Sequence, residues 1–114
     1  MTTVRIDDLR EIERLSGWFG RFFHTEHMTV AHYRFVRGAS IHEHFHPQEE
    51  VYEVLEGQLE ITVDGALSVA RPGVAVVVPS NAKHSVRALT DGRLFVVDCP
   101  RRPEIAGAPN PSAG

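Results

Sequence analysis

From Trp18 to Cys99 the chain is broken every few residues by a turn signal: "HTEH", "EG", "DG", "RPG", "PSNAK" and "TDG". Between these breaks lie short runs rich in valine, threonine and aromatic residues, the composition that suits a pleated, half-buried surface. Eight strands are predicted: 18–23, 28–36, 50–55, 58–63, 67–70, 75–78, 85–89 and 94–98. Runs this short leave no room for a helical layer. Regular short strands with turn signals between them predict an all-β sandwich or a closed barrel.

The flanks read differently. In "DDLREIERL", Leu9, Ile12 and Leu15 fall at helix-like spacing, with Asp7 or Asp8 as N-cap and Gly17 as the stop, which predicts a short helical turn. The final stretch, "PRRPEIAGAPNPSAG", is rich in Pro, Ala and Gly and is expected to trail along the surface. The organisation is therefore an N-terminal extension over 1–17, a barrel over 18–99 and a tail over 100–114. At 114 residues this is enough for one core.

A net charge of −3 gives no long-range attraction to nucleic acid. No run of apolar residues is long enough for a membrane span, and the N-terminus lacks the apolar stretch of a signal peptide, so no membrane association is expected. The single cysteine, Cys99, rules out an internal disulfide, which fits a reducing cytoplasm. Cys99 itself reads as a small buried apolar residue.

The chemistry concentrates in "GASIHEHFHPQEEVYEVLEG", Gly38 to Gly57. Residues two apart on a strand share a face, so His44 and His46 point the same way, and Glu50 has the same parity. Pro47 cannot donate to a ladder and perturbs the run. If it causes a bulge, Glu49 competes with Glu50 for the carboxylate role. His84, the only histidine after this run, opens a later strand. His44, His46, Glu50 and His84 make a three-imidazole, one-carboxylate set. Such a set suits a divalent first-row metal and leaves about two of six coordination positions open. The donors do not choose among Fe, Mn, Ni, Zn, Co and Cu. A loose, adventitious His-rich tract is the competing reading.

The glycine spacing around the run bears on that choice. Gly38, His44, His46, Glu50 and Gly57 fall at the separations of the first cupin motif, and Gly73, Pro79 and His84 fall in register with the second. Asn81 stands where that motif has glycine, a substitution that tolerates a left-handed turn. Ala88 stands where the motif has Asn, which is not a ligand position. The chain thus resembles the small single-domain cupins of the conserved-barrel type over roughly residues 28–98. The resemblance implies an antiparallel jelly-roll barrel with the metal inside.

Alternation along "MTVAHYRFVRG" directs Tyr33 and Phe35 inward and His32 and Arg34 outward. Tyr52 and Val54 share the parity of Glu50 and should line the interior. Glu50, Tyr52 and Tyr33 are the catalytic candidates, with Glu50 or water held by the metal as a base. His42 reads as a rim residue, and Phe35, Val54, Asp98 and Arg102 are further pocket candidates. Asp98 and Arg102 stand near the end of the last strand, where some small cupins place substrate-contacting groups; an exposed ion pair is the alternative. His24, His27 and His32 read as solvated or loop histidines. Val51 and Leu55 face away from the metal, and leaving both exposed forgoes roughly 3–6 kcal/mol of burial. Either Trp18, Phe19 and Phe22 cover them, or a second subunit does, and a homodimer is the favoured expectation.

No Ser-His-Asp arrangement, P-loop or dinucleotide fingerprint is present. The expected function is a metal-dependent enzyme on a small oxygenated molecule, such as a sugar acid, a 1,3-dicarbonyl or a phenol, by dioxygenase or isomerase/lyase chemistry. A non-catalytic small-molecule or metal-binding module is the rival from another class.

Overall fold

The computed structural model describes residues 1–105. Its ten strands form two antiparallel sheets packed face to face: β1 (Ile12–Leu15), β2 (Trp18–His24), β3 (Thr29–Phe35), β4 (Ser40–His44), β5 (Glu49–Glu56), β6 (Leu59–Val63), β7 (Ala66–Ala70), β8 (Ala75–Val78), β9 (His84–Ala88) and β10 (Gly92–Cys99). The larger sheet runs β1-β2-β3-β10-β5-β8 and the smaller β4-β9-β6-β7. Neighbours that are distant in sequence, such as β3 with β10 and β4 with β9, give the jelly-roll connectivity. All eight predicted strands are present, most with ends shifted by a residue or two.

The N-terminal segment departs from its helix-like spacing. A 3-10 turn forms at Ile6–Asp8, and Ile12–Leu15 is a strand on the edge of β2. A helix this short is marginal alone, whereas the open edge of β2 offers a ladder of backbone partners. The second added strand is β4, which carries the histidine run.

Burial alternates as the strand period requires. In β2, Trp18, Gly20, Phe22 and His24 face inward. The core gathers Trp18, Phe22, Phe35, Val54, Leu59, Ile61, Val78 and Leu94. Trp18 and Phe35 stack with centroids 5.6 Å apart, and Tyr33 meets Phe22 edge-on at 5.4 Å. Asp98 takes an inward position on β10, which turns Cys99 outward. Cys99 is exposed, not buried as expected.

The tail does not simply trail away. The Arg102 backbone N–H donates to Thr29 Oγ1 at 2.8 Å, Gln48 Nε2 donates to the Arg101 carbonyl at 3.1 Å, and Ile105 is buried in the core. Residues 100–105 thus form a strap across one end of the barrel. Ile105, the one large apolar side chain of the tail, supplies the reason it docks. The remainder of the predicted tail, 106–114, lies outside the described residues. Among the described residues no helix is long and apolar enough to cross a membrane.

Candidate metal centre

His44 ends β4, and His84 begins β9 directly opposite it in the ladder. Their rings stand 4.1 Å apart between centroids. His46 follows in the loop, which a hydrogen bond from the Asn81 N–H to the His46 carbonyl (2.8 Å) ties to the turn before His84. Asn81 has φ 63°, the left-handed conformation expected where the motif has glycine. Glu50 comes from the other sheet, on β5. The site therefore joins the two sheets at one end of the barrel.

Each imidazole is oriented by a carbonyl two residues away. His44 Nδ1 bonds the His42 carbonyl at 2.8 Å, His46 Nδ1 the Gln48 carbonyl at 3.1 Å and His84 Nδ1 the Ala82 carbonyl at 2.8 Å. A carbonyl only accepts, so every Nδ1 carries the hydrogen and every neutral ring presents its Nε2 lone pair. One ligand atom from each of His44, His46 and His84 falls within a 4.8 Å cluster, as does a second grouping of His46, Glu50 and Asp98. Glu50 Oε1 lies 3.3 Å from His84 Nε2, and Glu50 Oε2 lies 3.7 Å from His46 Nε2.

This convergence is left unsatisfied by the protein. His46 Nε2, His84 Nε2, Glu50 Oε1 and Asp98 Oδ1 are buried with no hydrogen-bond partner among the described residues. An orphaned buried polar atom costs about 1–3 kcal/mol, so several aimed at one point call for a common partner. Three imidazole lone pairs and a carboxylate fit a divalent transition metal. Glu49, the competitor, is exposed and faces outward.

Charge in the site is sorted by the same contacts. Burial pushes the Glu50 carboxyl up, but the polar groups of His46, His84, Asp98 and Tyr52 gathered around it outweigh that and hold Glu50 below the usual carboxylate range. Burial and the adjacent Glu50 carboxylate push Asp98 up to about 9, so the pair keeps its proton on Asp98. Burial and the Glu50 charge raise the Tyr52 hydroxyl well above its ordinary value, and burial raises Tyr33. Burial lowers His44; His84 is raised, because the Glu50 carboxylate and the Ala82 carbonyl outweigh its burial.

A cavity of about 210 Å³ opens above the site. Tyr33, His42, His44, Glu50, Tyr52, Asp98 and Arg102 all line it. His42 stands exposed at its mouth. Phe35 and Val54 do not line it: Phe35 packs on Trp18, and Val54 is buried in the core beneath. The Asp98–Arg102 pair is not an exposed ion pair. Arg102 Nη1 stands 3.7 Å from both Asp98 Oδ2 and Glu50 Oε2, and its Nε donates to Glu104 at 2.8 Å.

Of the histidines outside the motifs, His27 is exposed and His32 lies part-buried on the outer face against Phe95, at 5.1 Å between centroids. His24, expected to be solvated, is buried and bonded to Thr29 Oγ1 at 2.8 Å. Arg14, Leu15, Ile41 and Ile105 line the cavity without having been read from sequence. Arg14 and Leu15 gave no signal, because their position depends on the pairing of β1. The strap residues could have been suspected from Ile105 alone.

The comparisons agree with this architecture. An uncharacterized protein of Streptomyces coelicolor is 32% identical over 103 residues, covering 88% of this chain and 97% of that protein. KdgF from Halomonas sp. superposes with a TM-score of 0.85 at 23% identity, over 92% of this chain and 98% of that one. An RmlC-like cupin from Shewanella frigidimarina gives 0.84 at 22% identity, over 90% and 94%. Bacillus subtilis oxalate decarboxylase, with its Mn(II) centres, gives 0.77 at 19% identity, over 88% of this chain and 29% of that one. The family description "Cupin domain" matches residues 31–99, and with the jelly-roll fold and the motif histidines in place, the chain belongs to the cupin domain family.

Proposed function

We propose that this protein is a metal-dependent enzyme acting on a small oxygenated molecule, with His44, His46, Glu50 and His84 as ligands to a divalent transition metal. The observation that carries this reading is the set of orphaned Nε2 and carboxylate atoms converging beneath a cavity of about 210 Å³. A metal of this kind polarises a substrate oxygen and, where redox-active, supports dioxygen chemistry.

The chain's own groups divide the remaining work. Asp98 holds a proton beside Glu50 and can pass it to a substrate atom, or take one up, without leaving the cavity wall. This gives it a stronger claim to proton transfer than Glu50, which is held below the usual carboxylate range and so ionised. The Tyr52 and Tyr33 hydroxyls stay neutral and serve as hydrogen-bond donors to substrate oxygens. Arg102 fixes the carboxylates of Glu50 and Asp98 relative to each other. Trp18, Ile41, Leu94 and Val96 line the apolar side of the cavity and limit water around the substrate.

Elemental analysis of natively purified protein, followed by oxygen-uptake assays on sugar acids, 1,3-dicarbonyls and phenols, tests the reading. Bound iron with substrate-dependent oxygen consumption supports a dioxygenase. Bound zinc or nickel with turnover and no oxygen uptake supports an isomerase or lyase. Metal binding without turnover of any class leaves a binding module.

The protein is further proposed to work as a homodimer. Cross-strand pairing aligns Phe23, Val30, Val97, Val51 and Val77 in one row on the outer face of the larger sheet. Val77 is 57% exposed and Leu55 42%. Trp18 and Phe22 point into the core and cannot cover this row, while Phe19 lies under the Arg34 guanidinium at 4.2 Å. Light scattering at micromolar concentration should give twice the chain mass of 12.7 kDa, and Val77→Asp should shift it toward the single-chain value. A wild-type mass of one chain would leave the row simply exposed.

A further inference from the structure

Two arginines line the cavity, Arg14 and Arg102. They are not equivalent. Arg102 is committed to Glu50, Asp98 and Glu104. Arg14 forms no ion pair among the described residues. Glu104, the carboxylate that senses its charge, is already bonded to Arg102.

The backbone explains how Arg14 reaches the cavity. Glu13 pairs with Phe19 and Leu15 with Trp18, so β1 holds one residue more than its partner across this step, and that residue is Arg14. A bulge of this kind re-aims a side chain out of strict alternation. Arg14 and Leu15, sequence neighbours, consequently both line the cavity, as does Tyr33, whose hydroxyl senses the Arg14 charge. Arg14 stands on β1, and β2, β3 and β10 lie between that strand and β5, which carries Glu50; Leu15, Ile41 and Ile105 add apolar surface to the cavity wall.

We propose that Arg14, with the Tyr33 hydroxyl, anchors a carboxylate at the end of the substrate remote from the metal ligands. This inference rests on the metal-centre reading and narrows its substrate class. The substrate is a small acid with metal-chelating oxygens at one end, a hydrocarbon stretch in the middle and an anionic group at the other end. The charges favour such a molecule: a divalent metal and two guanidiniums outweigh Glu50 even with Asp98 ionised, in a chain whose net charge is −3. A guanidinium and a hydroxyl in the wall of one cavity suit the two oxygens of a carboxylate.

Calorimetric titration of protein carrying its native metal tests this with matched probes. Malate, 2-hydroxyglutarate and 2-hydroxyadipate present a chelating 2-hydroxy acid and a distal carboxylate at three reaches. The 2-hydroxy monoacids of equal carbon number lack only that second carboxylate. At one chain length or more, the diacid is expected to bind about tenfold tighter than its monoacid. Arg14→Gln should bring the two within about twofold, with the loss falling mainly on the diacid, and Arg14→Lys should restore part of the preference. Thermal melting checks that the edge bulge tolerates both changes. Equal binding of diacid and monoacid at all three lengths, or a preference that survives in Arg14→Gln, overturns the anchor alone. Monoacid binding that is absent, or unchanged after the metal is stripped, overturns the metal-centre reading and the anchor with it.

Discussion

His84→Ala protein is expected to lose metal affinity by roughly 100-fold or more, as are His44→Ala and His46→Ala, while His32→Ala keeps its full complement. Each of these three histidines has a hydrogen-bonded Nδ1 that leaves Nε2 to bind, so each substitution removes a pre-oriented donor from the proposed centre. His32 lies on the opposite face of its sheet, against Phe95. Equilibrium dialysis with elemental analysis measures the result. Full metal content in His84→Ala would rule out the proposed centre, since His84 is the imidazole that stands 3.3 Å from Glu50 across the two sheets. Affinity should also fall as pH drops through the histidine range, because a proton on Nε2 excludes the metal. Competition at His84 starts at a higher pH than for an ordinary imidazole, since Glu50 raises its affinity for the proton.

The second large effect separates two motif glycines that look alike in sequence. Gly38 and Gly57 both have positive φ, 86° and 83°. A Cβ on Gly38 would meet nothing within 4 Å, whereas one on Gly57 would sit 2.2 Å from the Asp91 carbonyl oxygen. Gly38→Ala carries only the left-handed backbone penalty, about 1–2 kcal/mol. Gly57→Ala adds a collision with backbone that cannot swing aside, for a total of about 3–5 kcal/mol. Urea denaturation of both variants measures the difference, and equal losses would mean that the Asp91 turn moves freely.

The contrast shows what local sequence can and cannot convey. The period-two pattern and turn residues were enough for the eight predicted strands, because each strand's burial follows from its own alternation. His44, His46 and Glu50 were singled out by a shared strand parity, but His46 stands in a loop and Glu50 on a strand of the other sheet, so the folding of the two sheets brings them together and not alternation along one strand. What escaped depended on pairing between distant segments. Ile12–Leu15 is a strand only because β2 offers an edge, and Arg14 enters the cavity only through a bulge in that pairing. Asp98 and Arg102 were pocket candidates by position alone, and an exposed ion pair stayed open as the alternative because the strap that encloses them is held by Thr29 and Gln48, far away in the chain. Phe35 and Val54 had the right parity for the interior, but a barrel interior has depth. Parity selects a face and not a height along the axis, and these two lie in the packed layer away from the opening.

The place of β10 in the larger sheet has a consequence for how the protein is made. It lies between β3 and β5, and among the described strands Gly92–Cys99 is the last to leave the ribosome. Until then β3 and β5 each present a bare edge, the kind of surface that recruits other chains. Pairing β10 with β3 joins residues far apart in sequence, a high contact order that slows folding. Adding β10 thus draws a zipper up the middle of the sheet, and chains cut short before Gly92 should collect in inclusion bodies.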